Sequence, residues 1–322
     1  MPEYLAVQNV VAHNLVKDFR KARKKPPESL VEEARVRGRE SRRMIGSITD
    51  VIRSLPKGIR DKATFILRGS IARMEYSNKS ALPHDIDLLI ISERKLGDRE
   101  NSAITNAFQR ALPGIKMEPF SFYGGEHPPY HEGAGQGRDA AKKPARRELD
   151  WKGHAYDVLA GPTMSGTLVS FLPYKVLHDP KGRAGKYAEI VRKAREDNVL
   201  TLLSIFGKGD QERLADGVAN HLLVWGAYNN ALAGHFTRTR PPIEVGIRKL
   251  KEMFGTEEGE VKEGVHKFYI RRQLEPVVER LIRKGKVIRR SDGSIRLAEG
   301  AQTPAYKELR EKYNDAHNPP NE

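Results

Sequence analysis

The sequence lacks cysteine and also lacks any long apolar run. Zero cysteines among 322 residues exclude disulfides, thiolate metal sites and a cysteine nucleophile. This composition suits a reducing compartment, so we expect a cytoplasmic protein. The segment Met1–Val16 has no basic start followed by an apolar core. No later stretch approaches the roughly 20 apolar residues that cross a bilayer, so no membrane association is expected.

Acidic residues are outnumbered by basic ones. The chain has 57 Lys and Arg residues against 42 Asp and Glu residues, which gives a net charge of +15. Such a field concentrates polyanions, of which nucleic acid is the commonest, although a basic protein without a polyanionic partner also fits. At 322 residues the chain exceeds the usual size of one hydrophobic core, so we expect two or three domains.

Two helical stretches are predicted at the N-terminus. Apolar residues recur at three- and four-residue steps from Tyr4 to Phe19, which indicates an amphipathic helix. The Pro26-Pro27 pair interrupts this pattern, and a longer helical stretch then runs from Glu28 to Val51 or Leu55. We expect these helices to pack on the domain that follows.

The next segment alternates strands with helices. The run Thr64–Leu67 predicts a short buried strand that leads into a turn at Gly69-Ser70 and then a helix. The run Asp85–Ser92 predicts a strand whose apolar half is buried on both faces, and Arg99–Leu112 predicts a helix. This order predicts an α/β (α+β) domain built on a mixed sheet.

A loop and a hairpin are predicted after this helix. Residues Tyr123–Arg147 are rich in glycine, proline, histidine and basic side chains, which indicates a loop. The segment Arg147–Leu159 predicts a hairpin turned at Lys152-Gly153. Asp157 then lies on the second strand of this hairpin.

The remainder of the chain is predicted to be mostly helical. Tyr187–Phe206 and Leu214–Leu232 predict a helical domain. Helices at Ile243–Phe254 and Gln273–Lys284 then precede a hairpin at Lys286–Leu297, an order typical of a winged helix. The predicted parts are 1–55 for the N-terminal helices, 56–165 for the α/β domain, 166–240 for the helical domain, 241–300 for the winged-helix-like module and 301–322 for a terminal helix and polar tail.

The strongest candidate site lies where the second strand begins. Asp85 and Asp87 are two residues apart, so on a strand both carboxylates point to one side. Paired carboxylates on a rigid support are ligands for Mg²⁺ or Mn²⁺. A third acid must come from a neighbouring strand. Asp157 is preferred because a lone charge among apolar neighbours is costly without a metal or partner, with Asp150 and Glu148 as alternatives.

The turn at Gly69-Ser70 supplies a complementary half of this site. Glycine lets the backbone approach a phosphate, and the serine hydroxyl with the N–H groups of the next helix can hold triphosphate oxygens, with Arg73 near enough to assist. The segments Leu67–Arg73 and His84–Ile90 resemble the signature of the DNA polymerase β nucleotidyltransferase superfamily. That signature is a Gly-Ser turn, a spacer, an acid-x-acid strand and a third strand-borne acid.

Within this superfamily the chain is most similar to the archaeal-type CCA-adding, template-independent RNA nucleotidyltransferases, over Val31–Pro162. The resemblance implies a nucleotidyltransferase palm and a pair of Mg²⁺ or Mn²⁺ ions held by the three acids. It implies transfer of NMP from an NTP to a 3′-hydroxyl, with RNA or tRNA preferred over DNA as acceptor. It also implies that Lys175 and Lys186 contact nucleotide phosphate, for which a solvated basic loop is the alternative.

Basic residues of the winged-helix-like module form a candidate nucleic-acid surface. A recognition helix lies in a groove and a wing contacts phosphates. A solvated helix face, dimerisation or interdomain packing are the alternatives. The candidate residues are Arg280, Arg283, Lys284, Arg289 and Arg290.

Other functions fit the same residues. The acceptor can instead be a second nucleotide, which gives a cyclic or linear signalling oligonucleotide, or a protein or small molecule. From another class, the chain can be a non-catalytic nucleic-acid-binding regulator with a transferase-like fold. The presence of all three candidate acids opposes that last hypothesis.

Overall fold

The fold is given by a computed structural model that describes residues 3–79, 82, 85–127, 146–160, 169–206 and 256–301. Several predicted elements lie outside these residues. They are the helices at Leu214–Leu232 and Ile243–Phe254, residues 128–145 of the predicted loop, and the terminal helix and tail.

A mixed sheet of five strands lies at the centre of the fold. Its strands are β1 (Thr64–Leu67), β2 (Asp85–Arg94), β3 (Lys116–His127), β4 (Arg147–Leu149) and β5 (Lys175–His178). Their spatial order is β4-β3-β2-β1-β5. β2 lies antiparallel to β1 and parallel to β3, while β5 and β4 pair antiparallel at the two edges.

Helices cover both faces of this sheet. The helices of the fold include α1 (Glu3–Val10), α2 (Ala12–Lys21), α3 (Glu28–Ser54), α4 (Lys57–Arg60), α5 (Gly69–Ala72), α6 (Asp98–Ala111), α7 (Trp151–Ala160), α8 (Arg183–Phe206) and α9 (Thr256–Arg283). α3 and α6 pack on one face, and α7 and α8 pack on the other. α6 connects β2 to β3, because two parallel neighbours need a crossover connection. None of the helices described here has the length and apolarity to span a bilayer.

Alternate side chains of β2 fill two separate cores. The even-numbered positions of β2, from Ile86 to Ile90, pack with α3 and α6. The odd-numbered positions Leu89 and Ile91 pack with α7 and α8 on the other face. By the same alternation Asp85 and Asp87 belong to the face of α7 and α8. The strand and its burial on both faces confirm the sequence prediction.

The N-terminal region differs from the prediction in one respect. The stretch Tyr4–Phe19 was expected to form a single helix, but α1 ends at Val10 and α2 begins at Ala12. The break lets α1 pack on α9 while α2 packs on α3, so tertiary packing overrides a continuous helical pattern. α3 begins and ends where the prolines predict.

The predicted hairpin at Arg147–Leu159 is wrong, because Trp151–Ala160 is helix α7. The Asp150 side chain accepts a 2.8 Å hydrogen bond from the Gly153 N–H, which is the capping contact of a helix start. Trp151, Ala155, Val158 and Leu159 recur at helical spacing and are all buried, so the apolar face of α7 packs on the sheet. Residues Tyr123–His127, expected in a loop, belong to β3.

The C-terminal hairpin is confirmed. β6 (Val287–Arg289) and β7 (Ile295–Leu297) pair antiparallel and pack against α8 and α9. The helix before them is longer than Gln273–Lys284, since α9 has 28 residues and includes Pro276. A helix followed by a hairpin agrees with the predicted order, and the winged-helix fold itself stays a prediction.

A buried hydrogen-bond network fastens α9 to the rest of the molecule. The Tyr269 hydroxyl donates to the Glu75 carboxylate at 2.6 Å and accepts from the Asn14 amide at 2.8 Å. Arg73 donates to the same carboxylate at 2.8 Å. Glu75 and Tyr269 are each 1% exposed, so their polar atoms depend on these partners, and not on water, for hydrogen bonds.

Tyr269→Phe should destabilise the protein by about 1–3 kcal/mol, because Glu75 loses a donor in a buried site. Urea unfolding measures the difference. Tyr123→Phe is the matched control, since that hydroxyl has no hydrogen bond among the described residues and its removal should change stability by less than about 0.5 kcal/mol. Equal losses in the two variants would contradict this role for the network.

Candidate active site

Three carboxylates converge where β2 and β3 begin. The parallel register pairs Asp87 with Glu118, and Asp85 lies two residues earlier on the same face of β2. Oxygen atoms of the three side chains lie within 4.8 Å of one another. Asp85 and Asp87 are partly buried and Glu118 is exposed. This geometry and donor type fit a hard divalent cation.

Burial and repulsion make this cluster costly when it is fully ionised. Desolvation, together with the charge of Asp85, raises the pKa of Asp87 to about 6 against the opposing effect of Arg73. Desolvation also raises the pKa of Asp85. Carboxyl groups in this state are stabilised by a proton or by a cation.

The Gly69-Ser70 turn lies directly against the acids. Gly69 has a φ of +67°, and a methyl group at its Cα would overlap the Asp87 carboxylate. The Arg68 N–H donates to the Asp87 carbonyl at 2.9 Å, which fixes this approach. The buried Ser70 hydroxyl has no hydrogen-bond partner among the described residues. An unsatisfied buried hydroxyl beside a carboxylate cluster is what a bound ligand would satisfy.

A cavity of about 440 Å³ connects these groups. The acids and the Gly-Ser turn form one side, and Lys262, Val265 and His266 of α9 form another. Burial, together with the charges of Arg73 and Lys262, lowers the pKa of His266 to about 3, so its imidazole is neutral. One side of the cavity is therefore acidic, and another side carries the cationic Lys262 ammonium and the neutral His266 imidazole.

The two arginines beside the Gly-Ser turn also line this cavity. Arg68 donates to the Tyr187 hydroxyl at 2.6 Å and to the Val169 carbonyl. Arg73, predicted as a nucleotide-binding residue, lies in the cavity but is paired with Glu75. Gly69 and Ser70, predicted for the same role, also line the cavity.

Asp157 does not join the acids as the sequence predicts. It lies on helix α7 rather than on a strand, is 5% exposed and forms an ion pair with Arg147. Among the residues that the structure describes, it is not part of the cavity lining. The Asp157 carboxylate, whose apolar neighbours make a lone charge costly, is paired with the Arg147 guanidinium. The third acid of the cluster is Glu118.

The other sequence candidates near the sheet lie elsewhere. Glu148 is exposed on β4, and Asp150 begins α7. Lys175 is exposed on the edge strand β5, and Lys186 pairs with a neighbouring glutamate on α8 at 3.3 Å. Within the described part of the chain, none of these four residues lines the cavity.

The basic residues predicted to bind nucleic acid are largely engaged with carboxylates. Arg280 and Lys284 contact Glu196 of α8 at 3.1 and 2.5 Å, and Arg289 contacts two glutamates of α9 at 2.7 and 2.8 Å. These contacts agree with interdomain packing, the alternative role, and nucleic-acid binding stays a prediction. Four members of the set are exposed, and Arg280 is partly buried; the exposed ones are Arg283, Lys284, Arg289 and Arg290.

Sequence reasoning missed Glu118, Lys262 and His266. Glu118, Phe120 and Phe122 alternate along β3, and this period of two was the available signal for Glu118. Lys262 and His266 are four residues apart on α9. The sequence contains no signal that this helix lies beside the acid cluster.

Gly69→Ala should abolish metal binding at the acid cluster, because its methyl group displaces the Asp87 carboxylate. Gly182→Ala is the matched control: Gly182 has a φ of +66° with nothing within 4 Å of an added methyl group. Both variants should lose about 1–2 kcal/mol of stability from backbone strain. Only Gly69→Ala should lose the increase in melting temperature caused by Mn²⁺. A Mn²⁺ response that survives in Gly69→Ala would contradict the site.

The pH dependence of stability should report on Asp87. Its pKa in the folded state, about 6, exceeds the ordinary value of 3.8. The folded protein therefore binds more protons, and stability present at low pH is lost as the pH rises through about 6. Without divalent metal, this loss should be about 1–2 kcal/mol after allowance for partial exposure. Asp87→Asn should remove it, as urea unfolding between pH 4 and pH 7.5 would show; an unchanged pH profile would refute the assignment.

Comparisons with protein-family models, with curated proteins and with solved structures give no match to this chain. The interpretation of the site therefore depends on its own geometry.

Proposed function

We propose that this protein is a metal-dependent nucleotidyltransferase that transfers NMP from an NTP to the 3′-hydroxyl of a nucleic acid and releases pyrophosphate. One observation carries the proposal. The carboxylates of Asp85, Asp87 and Glu118 converge within 4.8 Å, against a Gly-Ser turn whose buried hydroxyl has no partner among the described residues. In this proposal the mixed sheet is a nucleotidyltransferase palm, and α9 with its hairpin is a winged-helix-like module.

The three acids would hold Mg²⁺ or Mn²⁺. A bound pair of such ions lowers the pKa of an attacking hydroxyl and neutralises charge on the triphosphate. Asp85 and Asp87 come from one strand and Glu118 from its hydrogen-bonded neighbour, so their spacing is fixed by the sheet and requires little rearrangement. The exposed Glu118 leaves the cluster open to substrate on that side.

The Gly-Ser turn would hold the triphosphate. Gly69 lets the turn lie directly against the Asp87 carboxylate, and the Ser70 hydroxyl beside it can donate to a phosphate oxygen. Lys262 and Arg73 place positive charge in the same cavity. The charge of Arg73 is shared with Glu75, to which it is paired.

We propose RNA, including tRNA ends, as the preferred acceptor. The net charge of +15 favours a polyanionic acceptor over a small molecule or a protein with few acidic residues. Incubation with each labelled NTP, with Mn²⁺ or Mg²⁺, and with either an RNA 3′ end, a DNA 3′ end or no acceptor tests this assignment. Labelled product in the absence of acceptor would favour synthesis of a signalling oligonucleotide instead.

Glu118→Gln should reduce NMP transfer at least about a hundredfold, since it removes one carboxylate ligand from the metal site. Asp157→Asn is the matched control, because it is an equally conservative substitution that removes a carboxylate outside the cavity. It should keep the rate within about threefold at a temperature where the variant is folded. Single-turnover rates with saturating NTP make the comparison, and circular dichroism verifies folding.

The opposite result for these two variants would identify a different third acid. A folded but inactive Asp157→Asn together with an active Glu118→Gln would show that the third acid is Asp157. Full activity of Asp85→Asn with Asp87→Asn would refute catalysis at this cluster.

A further inference from the structure

An aromatic ring is exposed beside the acid cluster. Phe120 is 46% exposed although it lies in the middle of β3, and it lines the same cavity as the three acids. Phe122, the next residue on this face of the strand, is fully buried. The exposed apolar area of this ring is available to a ligand in the cavity, and covering it would be favourable.

The strand geometry fixes this ring relative to the acids. Phe120 pairs with Leu89 in the register that pairs Glu118 with Asp87, so it points to the same face one two-residue step away. That step is about 6.6 Å, comparable with the ribose that separates an α-phosphate from its base. A nucleotide whose phosphates lie at the acids can therefore place its base at Phe120.

The Phe120 ring packs edge-to-face with its neighbour Phe122. The edge of one ring faces the plane of the other in the Phe120–Phe122 pair, with centroids 5.1 Å apart at 89°. Phe122 is anchored in the core with α7 and α8, so the Phe120 ring has a rigid support. A half-exposed ring that packs on a buried neighbour is suited to stacking with a base.

Several apolar side chains line the cavity close to Phe120. Pro119, Val158 and Val169 line the cavity together with Phe120 and offer no charged side chain. Stacking on such a surface tolerates different bases, because each base has a π-face.

We propose that Phe120 is the stacking platform for the base of the nucleoside triphosphate, so that the cavity binds substrate through the base as well as through phosphate. This inference rests on the proposed function, since the phosphates must lie at the acid cluster for the base to reach Phe120. It assigns substrate positioning to a residue outside the metal site and the Gly-Ser turn.

Calorimetry on the full-length protein tests the platform. Binding of ATP, GTP, CTP, UTP and inorganic tripolyphosphate is measured with Ca²⁺ in place of Mg²⁺, so that no turnover occurs. Phe120→Ala should weaken binding of the four nucleotides roughly tenfold and leave tripolyphosphate, which has no base, within about twofold. Phe120→Tyr keeps an aromatic ring and should retain nucleotide binding within about threefold.

Val176→Ala is the control, because Val176 is also an exposed apolar residue, 40% exposed, but lies on the edge strand β5 outside the cavity lining described here. It should leave every affinity unchanged, and melting temperatures verify that all variants are folded. The platform is refuted if Phe120→Ala leaves nucleotide affinity intact or weakens tripolyphosphate to the same degree.

The wild-type protein separates this proposal from the proposed function. Equal affinity for tripolyphosphate and for the nucleotides would refute the base platform alone. No binding of either probe in the presence of Ca²⁺ or Mn²⁺ would refute the nucleotide site and the platform with it.

Discussion

The parallel pairing of β2 with β3 is the constraint on which the candidate site depends. Backbone hydrogen bonds set Glu118 beside Asp87, and a shift of one residue would turn Glu118 and Phe120 to the opposite face. The two strands therefore hold like charges together against their repulsion. Desolvation first, and this repulsion second, raises the pKa values of Asp85 and Asp87, and a bound cation would offset both costs.

The side of the cavity formed by α9 depends on side-chain hydrogen bonds and not on strand pairing. α9 follows the sheet by many residues in the chain, yet Tyr269 reaches Glu75, which follows the Gly-Ser turn by a few residues. Arg73 joins the same carboxylate, so one buried network positions both the turn and the helix that carries Lys262 and His266. The acids come from local strand geometry, whereas the cavity that encloses them is a tertiary feature.

The sequence predicts the parts of the site that are local. The apolar run after Asp85 and Asp87 specifies a buried strand, and its period of two places both carboxylates on one face. Asp157 was misplaced because Lys152-Gly153 matches a hairpin turn, while the Asp150 cap and the spacing of Trp151, Ala155 and Val158 specify a helix.

The non-local parts were not predictable in the same way. Glu118 lies in a strand that contains a proline and few consecutive apolar residues, so its pattern is weak. No periodicity within α9 reports that this helix lines the same cavity as residues far earlier in the chain. The basic residues Arg280 and Lys284 were recognised by charge, but their partner Glu196 on α8 is evident only once the helices are packed.

The length of α9 lets one helix take part in two distant regions of the molecule. Lys262 near one end lines the cavity, and Leu281 near the other packs with α8 and the hairpin. These positions are about 28 Å apart along the helix axis, and Pro276 lies between them. A substitution where α9 meets α8 therefore acts on the same helix that carries Lys262 into the cavity.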